Sequence, residues 1–392
     1  MNSSVIKKVS HYILAALFLA FIFSSSFVML VTKDSPWSEA ENRGLAFLPE
    51  FPDSVEQISP FLRSLDAYVE DHFGFRDFYI YRYQRELDKR FNQAGPRSTV
   101  ISGLDGWYFF NAFNMMDDFL GRTPLKGDTI QSWLAHQDKK NQWLLERNIR
   151  YLYIVEPNKQ SIYPEYLMKH AMAVKGTSRF EEVLAYSGGH LPEYMLNLHE
   201  YLQPKLFDKT LYYKNDSHWN KFGAYLVFRK MIEKISSWYP TEEFATDFAF
   251  GPEETGIGGN TGQGGDLVQM LMRPELTETY PQLIPFTPCG TVEDIPRELS
   301  NIEQPPGRIS FVRKCPSKNL RAVVFRDSFF VSVEPFLSEN FKEVIYLWKE
   351  YDQQNVEEVL ALFQPDVVIE ARAERHIFDS FLEKEKRASQ QQ

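Results

Sequence analysis

The sequence predicts an α/β fold, a parallel β-sheet with helices on both faces, preceded by an N-terminal membrane-spanning helix. Three observations lead there. Short apolar runs recur at "RYLYIVEPNK" (150–159), "RAVVFRDSFF" (321–330), "EVIYLWK" (343–349) and "PDVVIEA" (365–371), as expected of strands covered on both sides. Helical patterns alternate with them over 128–147, Val331–Phe341 and 354–363, and that alternation is the rhythm of a parallel sheet. At the front, Tyr12 to Thr32 carries no charge, and about 20 apolar residues reach across a bilayer core.

The elements follow in chain order. Lys7 and Lys8 precede the apolar segment, so residues 1–11 are expected in the cytoplasm and the chain beyond residue 33 outside it. The run continues past Ser24-Ser25-Ser26, which favours an uncleaved anchor over 12–32 rather than a signal peptide. Residues 33–60 hold four prolines and little periodicity and read as a linker. From Phe61 to Phe91 apolar residues recur at helical spacing, broken at "HFGFRD" (72–77), which predicts two helices. "TVISGLDGWYFF" (99–110) predicts a hairpin turning through Gly103 to Gly106. Over 128–147, Trp133, Leu134, Trp143, Leu144 and Leu145 share one side of a helix. "GPEETGIGGNTGQGG" (251–265) holds seven glycines and predicts a mobile loop. No Gly-Lys-Ser/Thr follows it, so it is not a phosphate loop; Asp266 is placed as the cap of a helix over 267–273. The tail 379–392 is expected to be disordered, leaving 61–378 as the folded domain.

Composition narrows the function. The net charge of −10 argues against nucleic acid, which demands clustered Lys and Arg. Aromatic residues make up 15% of the chain, more rings than a core strictly needs; a ring-lined, sugar-binding cleft and a Phe-rich core both account for them. Cys289 and Cys315 stand 26 apart, and outside the cytoplasm such a pair forms a disulfide or stays as two buried thiols. Histidines are scattered without a His-Glu-x-x-His spacing, so no metal and no cofactor is expected.

The chemistry concentrates in "YYKNDSHWN" (212–220). If that stretch is extended, Asp216 and His218 project to one side, and the carboxylate can orient the imidazole as half of a nucleophilic triad. Ser328, just after a strand and before a helix, offers the hydroxyl, and its main-chain N–H can face an oxyanion. The plainer alternatives are a core histidine packed beside Trp219 and helix caps at Asp327 and Ser328.

The blocks "ENR" (41–43), "HFGFRD" (72–77), "GLDGWYFF" (103–110), "VEPNKQSIYPE" (155–165), "YKNDSHWNKFGA" (213–224), "GGDL" (264–267), "FRDSFF" (325–330) and "QPDVVIEARAER" (364–375) resemble the alginate O-acetyltransferase family of SGNH-hydrolase-like proteins, the AlgX/AlgJ type, over roughly residues 40–378. The D-x-H-W-N and D-S-F blocks are the specific ones. The resemblance implies a three-layer SGNH-like fold in permuted order, with Ser328 as nucleophile, His218 as general base and Asp216 as its orienter. Asn158, Arg326, Lys159 and Trp219 are the candidates for oxyanion or substrate contacts. Arg326 departs from the pattern, since a glycine often stands there, and it could bring a cation near the acyl oxygen. Sixty-four residues follow Ser328, so the chain is expected to resemble the membrane-anchored members rather than those with an added carbohydrate-binding module.

The implied function is acetyl transfer to an exported polysaccharide, on the periplasmic side of a bacterial inner membrane, beside a membrane-bound O-acyltransferase that supplies acetyl groups. Water in place of a sugar would make the same residues an esterase. A non-catalytic polysaccharide-binding subunit and a lipase-like hydrolase are the alternatives from other classes.

Overall fold

The structure is a computed structural model and describes residues 3–32, 36–38, 43–91, 99–125, 127–259, 264–271, 273–296, 299 and 309–383. Most of the "ENR" block, the middle of the glycine-rich loop and the end of the tail lie outside these residues. The chain divides into two compact units, residues 1–99 with 269–273, and residues 100–268 with 274–392. The sheet-bearing unit thus opens at Val100, whereas the sequence places the domain's start at 61; the helices of 61–91 belong to the first unit.

In the first unit, α1 (Ser3–Val31) contains a 21-residue window, His11–Val31, of mean hydropathy 2.5, long and apolar enough to cross a membrane. α2 (Val55–His72) and α3 (Arg76–Phe91) follow, split at the expected "HFGFRD". The break is enforced by Phe75, whose φ of 63° no helix accommodates.

The second unit opens with the expected hairpin, β1 (Val100–Ser102) against β2 (Tyr108–Phe110). Then come α4 (Gly127–Leu145), β3 (Arg150–Glu156), β4 (Met195–Asn197) and α5 (Lys221–Trp238); α6 (Asp266–Met270) begins in this unit and ends at residues assigned to the first. The last stretch holds β5 (Thr291–Asp294), β6 (Phe311–Lys314), β7 (Arg321–Phe325), β8 (Glu343–Leu347), α7 (Gln353–Leu362) and β9 (Val367–Ala373). The central sheet has seven strands in the order β4-β3-β9-β7-β8-β6-β5. Pairing is parallel from β4 to β8 and antiparallel for the β6 and β5 edge.

Both faces of the parallel strands are apolar, which explains the unbroken runs in the sequence. Leu152, Ile154, Ala322, Val324, Val344, Tyr346 and Ile369 face one core, shared with Leu226, Phe228 and Met231 of α5. Their neighbours Tyr151, Tyr153, Val323, Phe325, Ile345 and Val368 face the other, covered by Trp133 of α4 and Val356 and Val359 of α7. The alternation along each strand makes the three layers. Many of the surplus rings go inside: Trp107, Phe109, Trp133, Tyr151, Trp219, Phe228 and Phe325 are all buried.

One helix differs from expectation. Between Val331 and Phe341 the chain makes a 3₁₀ turn at Phe329–Ser332 and then a short helix at Glu334–Ser338. Pro335 has no amide hydrogen to continue a helix begun upstream, so the helix restarts there. Cys289 and Cys315 form a disulfide.

Candidate active site

The site lies at the carboxyl ends of the parallel strands, the edge where open α/β sheets place reactive groups. After β7 the chain keeps one more sheet bond, from Arg326 N–H to the Leu347 carbonyl at 3.0 Å. It then leaves through Asp327-Ser328. Asp327 caps the turn, its Oδ1 accepting from Phe329 N–H at 3.0 Å and its Oδ2 from Ala373 N–H at 2.9 Å. That second bond ties the Ser328 turn to the end of β9.

His218 reaches Ser328 from a loop between Tyr212 and Trp219, which themselves form a β-bridge. His218 Nε2 lies 2.8 Å from Ser328 Oγ, and His218 Nδ1 lies 2.7 Å from Asp216 Oδ1. The same Oδ1 accepts the His218 main-chain N–H at 2.9 Å. The segment is therefore a turn, not an extended stretch. A carboxylate that binds the amide two residues ahead curls the chain locally, and here that curl brings the imidazole back onto the carboxylate.

The loop is held from outside. Lys159 Nζ donates to the carbonyls of Tyr213 at 3.0 Å, Lys214 at 3.1 Å and Asp216 at 2.6 Å. The main-chain N–H groups of Lys214 and Asn215 go to the Glu278 carboxylate, and that of Ser217 to Asp266 Oδ1 at 2.7 Å. Burial pulls Lys159 down to about 8, against the pull of Glu278, Asp266 and Asp216. Lys159, a sequence candidate for substrate contact, is placed by the structure under the His218 loop: an ammonium has three hydrogens, and all three go to the loop's carbonyls.

Two further candidates are also committed elsewhere. The Arg326 guanidinium is buried against Glu334, 2.9 Å away, and stacks on Trp348 with 4.0 Å to the ring centre. It is occupied there and not offered as a cation to an acyl oxygen. Trp219 is fully buried and donates its indole hydrogen to the Phe329 carbonyl at 2.9 Å; it binds the two loops together and meets no solvent. Asn158 stands just past β3, its N–H on Glu374 at 2.8 Å and its Oδ1 accepting from Arg375 at 3.2 Å. Arg375 in turn lies over the Phe329 ring, 5.0 Å from its centre, next to Ser328.

Burial is the largest single influence on His218 and works against its charged form. The charge and hydrogen bond of Asp216, with Asp266 behind it, together outweigh burial and raise the imidazole above its ordinary value. Burial likewise pushes Asp327 up, but Arg372, Arg375 and the amide bonds hold it below the usual carboxylate range. Glu156, wholly buried at the end of β3, is driven well above that range by burial and by the charge of Asp327.

Asp266, Glu278 and Arg375 take no part in the sequence-derived site. "GGDL" contained the signal for Asp266. Gly264 has a φ of +96°, and a Cβ on Gly265 would sit 2.0 Å from the Asn215 carbonyl. Only glycines let this segment press onto the His218 loop, which brings the Asp266 carboxylate onto Ser217. Asp216, His218 and Asp266 also bring one potential metal-ligating atom each to within 4.8 Å of one another.

A mostly parallel sheet with a Ser–His–Asp cluster at its carboxyl edge defines the class, an SGNH hydrolase-like α/β domain. Residues 100–292 match the family described as SGNH hydrolase-like domain, acetyltransferase AlgX. A curated relative is the probable alginate O-acetylase AlgJ of Pseudomonas aeruginosa, 23% identical over 239 residues, or 57% of each chain; the chain thus matches little more than half of that relative's length. Similar solved structures include PatB1 of Bacillus cereus, at 17% identity and TM-score 0.47, covering 71% of this chain and 96% of that one. The O-acetyltransferase domain of Pseudomonas putida AlgJ shows 16% identity and TM-score 0.40 over 71% and 91%. AlgX of Pseudomonas aeruginosa shows 13% and 0.43 over 74% and 65%.

Proposed function

We propose that this chain is an O-acetyltransferase that moves an acetyl group through Ser328, His218 and Asp216 onto hydroxyls of an exported polysaccharide. The single observation that carries the reading is the relay of 2.8 Å from Ser328 Oγ to His218 Nε2 and 2.7 Å from His218 Nδ1 to Asp216. His218 takes the Ser328 proton as Oγ attacks the acetyl carbonyl, and returns it to the departing group. The acetyl-serine is then attacked by a sugar hydroxyl whose proton passes to His218 and on to Ser328. Asp216 keeps the proton on Nδ1 and stabilises the imidazolium. The Ser328 main-chain N–H is assigned as one donor to the acyl oxygen and Asn158, whose Oδ1 accepts from Arg375, as the second.

The alginate named for the curated relative makes an anionic exopolysaccharide the first substrate to try. α1 serves as a single-pass anchor with the catalytic unit in the periplasm, and a membrane-bound O-acyltransferase is the acetyl supplier. The test is the acetyl content of secreted polysaccharide, with turnover of a chromogenic acetate, in wild type and Ser328→Ala. Turnover is expected to fall by on the order of a thousandfold or more. Wild-type turnover in Ser328→Ala would sink the assignment.

A further inference from the structure

Behind the Asp216–His218 pair stands a carboxylate the relay does not use. Asp266 accepts from Ser217 twice, from its N–H at 2.7 Å and from its hydroxyl at 2.6 Å, and its Oδ2 lies 3.8 Å from His218 Nδ1. Its own N–H points back to Asp216 Oδ2 at 3.3 Å. We propose that Asp266 is a positioning residue for the acetyl transfer, fixing the His218 tautomer through Ser217 and adding a second negative charge beside the imidazole.

The argument is one of hydrogen accounting. Ser217 Oγ sits 3.3 Å from His218 Nδ1. A serine hydroxyl has one hydrogen, and Asp266 Oδ2, 2.6 Å away, accepts it. Toward the ring Ser217 can then only accept. Nδ1 thus faces two acceptors, Asp216 Oδ1 and Ser217 Oγ, and must carry the proton. Nε2 is left with its lone pair toward the Ser328 hydroxyl, the arrangement a general base requires. When His218 gains a proton, the charges facing it are Asp216 from its own loop, Asp266 from the start of α6 and Arg375 from beyond β9. The two carboxylates favour the imidazolium and Arg375 opposes it. Asp266 therefore acts on both the geometry and the charge of the base without touching substrate.

The inference rests on the proposed Ser328 relay, so its test reads Ser328 activation rather than acetyl transfer. The full chain in detergent is treated with a fluorophosphonate, and the phosphonylated Ser328 is followed by mass spectrometry across pH. Oγ bonds to phosphorus, fluoride leaves, and the serine proton passes through His218 to solvent. Asp266→Asn is expected to slow labelling about tenfold and to move the midpoint of the acid limb to lower pH, because one charge that raises His218 is gone. Asp266→Glu should regain part of the rate. Ser217→Ala should slow labelling while leaving the midpoint in place, since both carboxylates remain. Wild-type rate and midpoint in Asp266→Asn would overturn the proposal; should that variant not fold, an unchanged rate in Ser217→Ala would do so. If wild-type Ser328 is not labelled at any pH, the relay itself falls and the role of Asp266 with it.

Discussion

Trp219 donates its indole hydrogen to the Phe329 carbonyl at 2.9 Å, so the residues directly after His218 and Ser328 are bonded to each other. The two rings also pack edge to face with centroids 5.1 Å apart. Base and hydroxyl keep their separation because their neighbours are joined. Trp219→Phe keeps much of the packing and strands a buried carbonyl. Unfolding free energy should fall by about 1–3 kcal/mol and turnover by about tenfold, measured by denaturant titration and ester hydrolysis. An unchanged rate would show that the link is dispensable.

Lys159 is the heavier loss. Removing this buried cation takes a donor from three carbonyls at once; that of Lys214 keeps the Tyr108 N–H at 3.0 Å, while those of Tyr213 and Asp216 lose the ammonium. Lys159→Met should lower stability by about 3–5 kcal/mol and abolish turnover. Lys159→Arg should not rescue it, since a planar fork cannot meet three acceptors arranged around a point. Rescue by arginine in a thermal-melt and activity assay would show that charge alone suffices.

Asp118 carries a pH signature. Burial is the main cause that lifts its carboxyl to about 6, with Glu374 and Glu182 adding to it and Arg179 opposing. The folded chain therefore holds a proton there that the unfolded chain releases nearer pH 4. Stability from this group falls as pH rises from about 4 to about 6, and the cost persists above. Asp118→Asn, which still accepts the Arg179 N–H, should be more stable than wild type at pH 7.5 by roughly 1–2 kcal/mol. The gap should close as pH falls toward 4, by thermal melts across that range. A constant gap would assign the effect to packing.

The Cys289–Cys315 bridge closes a loop over a sequence separation of 26, which restricts the unfolded chain by about 3–4 kcal/mol. Reductant should lower the melting temperature of the second unit, and the Cys289→Ser, Cys315→Ser double variant should match the reduced protein. Melts that ignore reductant would contradict this.

The Asp216, His218 and Asp266 cluster also invites a metal test. With Nδ1 donating to Asp216, the lone pair a cation needs is withdrawn, so dialysis against EDTA should leave ester turnover unchanged. Loss of activity restored by a divalent ion would show that the cluster holds one.

The sheet was legible because its strands are apolar on both faces: Tyr151 to Val155 and Val367 to Ala371 leave little else for those residues to form. Ser328 was legible by position, just past such a strand, and Asp216-His218 by their spacing. The surroundings of the site were not. Lys159, Arg326 and Trp219 have chemistry that suits a ligand, but each is used internally, because buried donors must find acceptors and the nearest ones belong to the protein. No spacing rule links Lys159 to carbonyls more than fifty residues away, nor Asp266 to Ser217 across 49. Those partnerships exist only after the chain folds.

The turn from Tyr213 to His218 has a polarity of its own. Its carbonyls at Tyr213, Lys214 and Asp216 converge on one ammonium, and its amides at Lys214, Asn215, Ser217 and His218 go to three carboxylates. Three of those four anchoring side chains, Lys159, Glu278 and Asp266, lie outside the turn. The six residues do not encode their own shape, so grafting "YKNDSH" onto another scaffold would transplant letters without the conformation. An engineer moving this acid–base pair would have to carry that lysine and those two acids along with it.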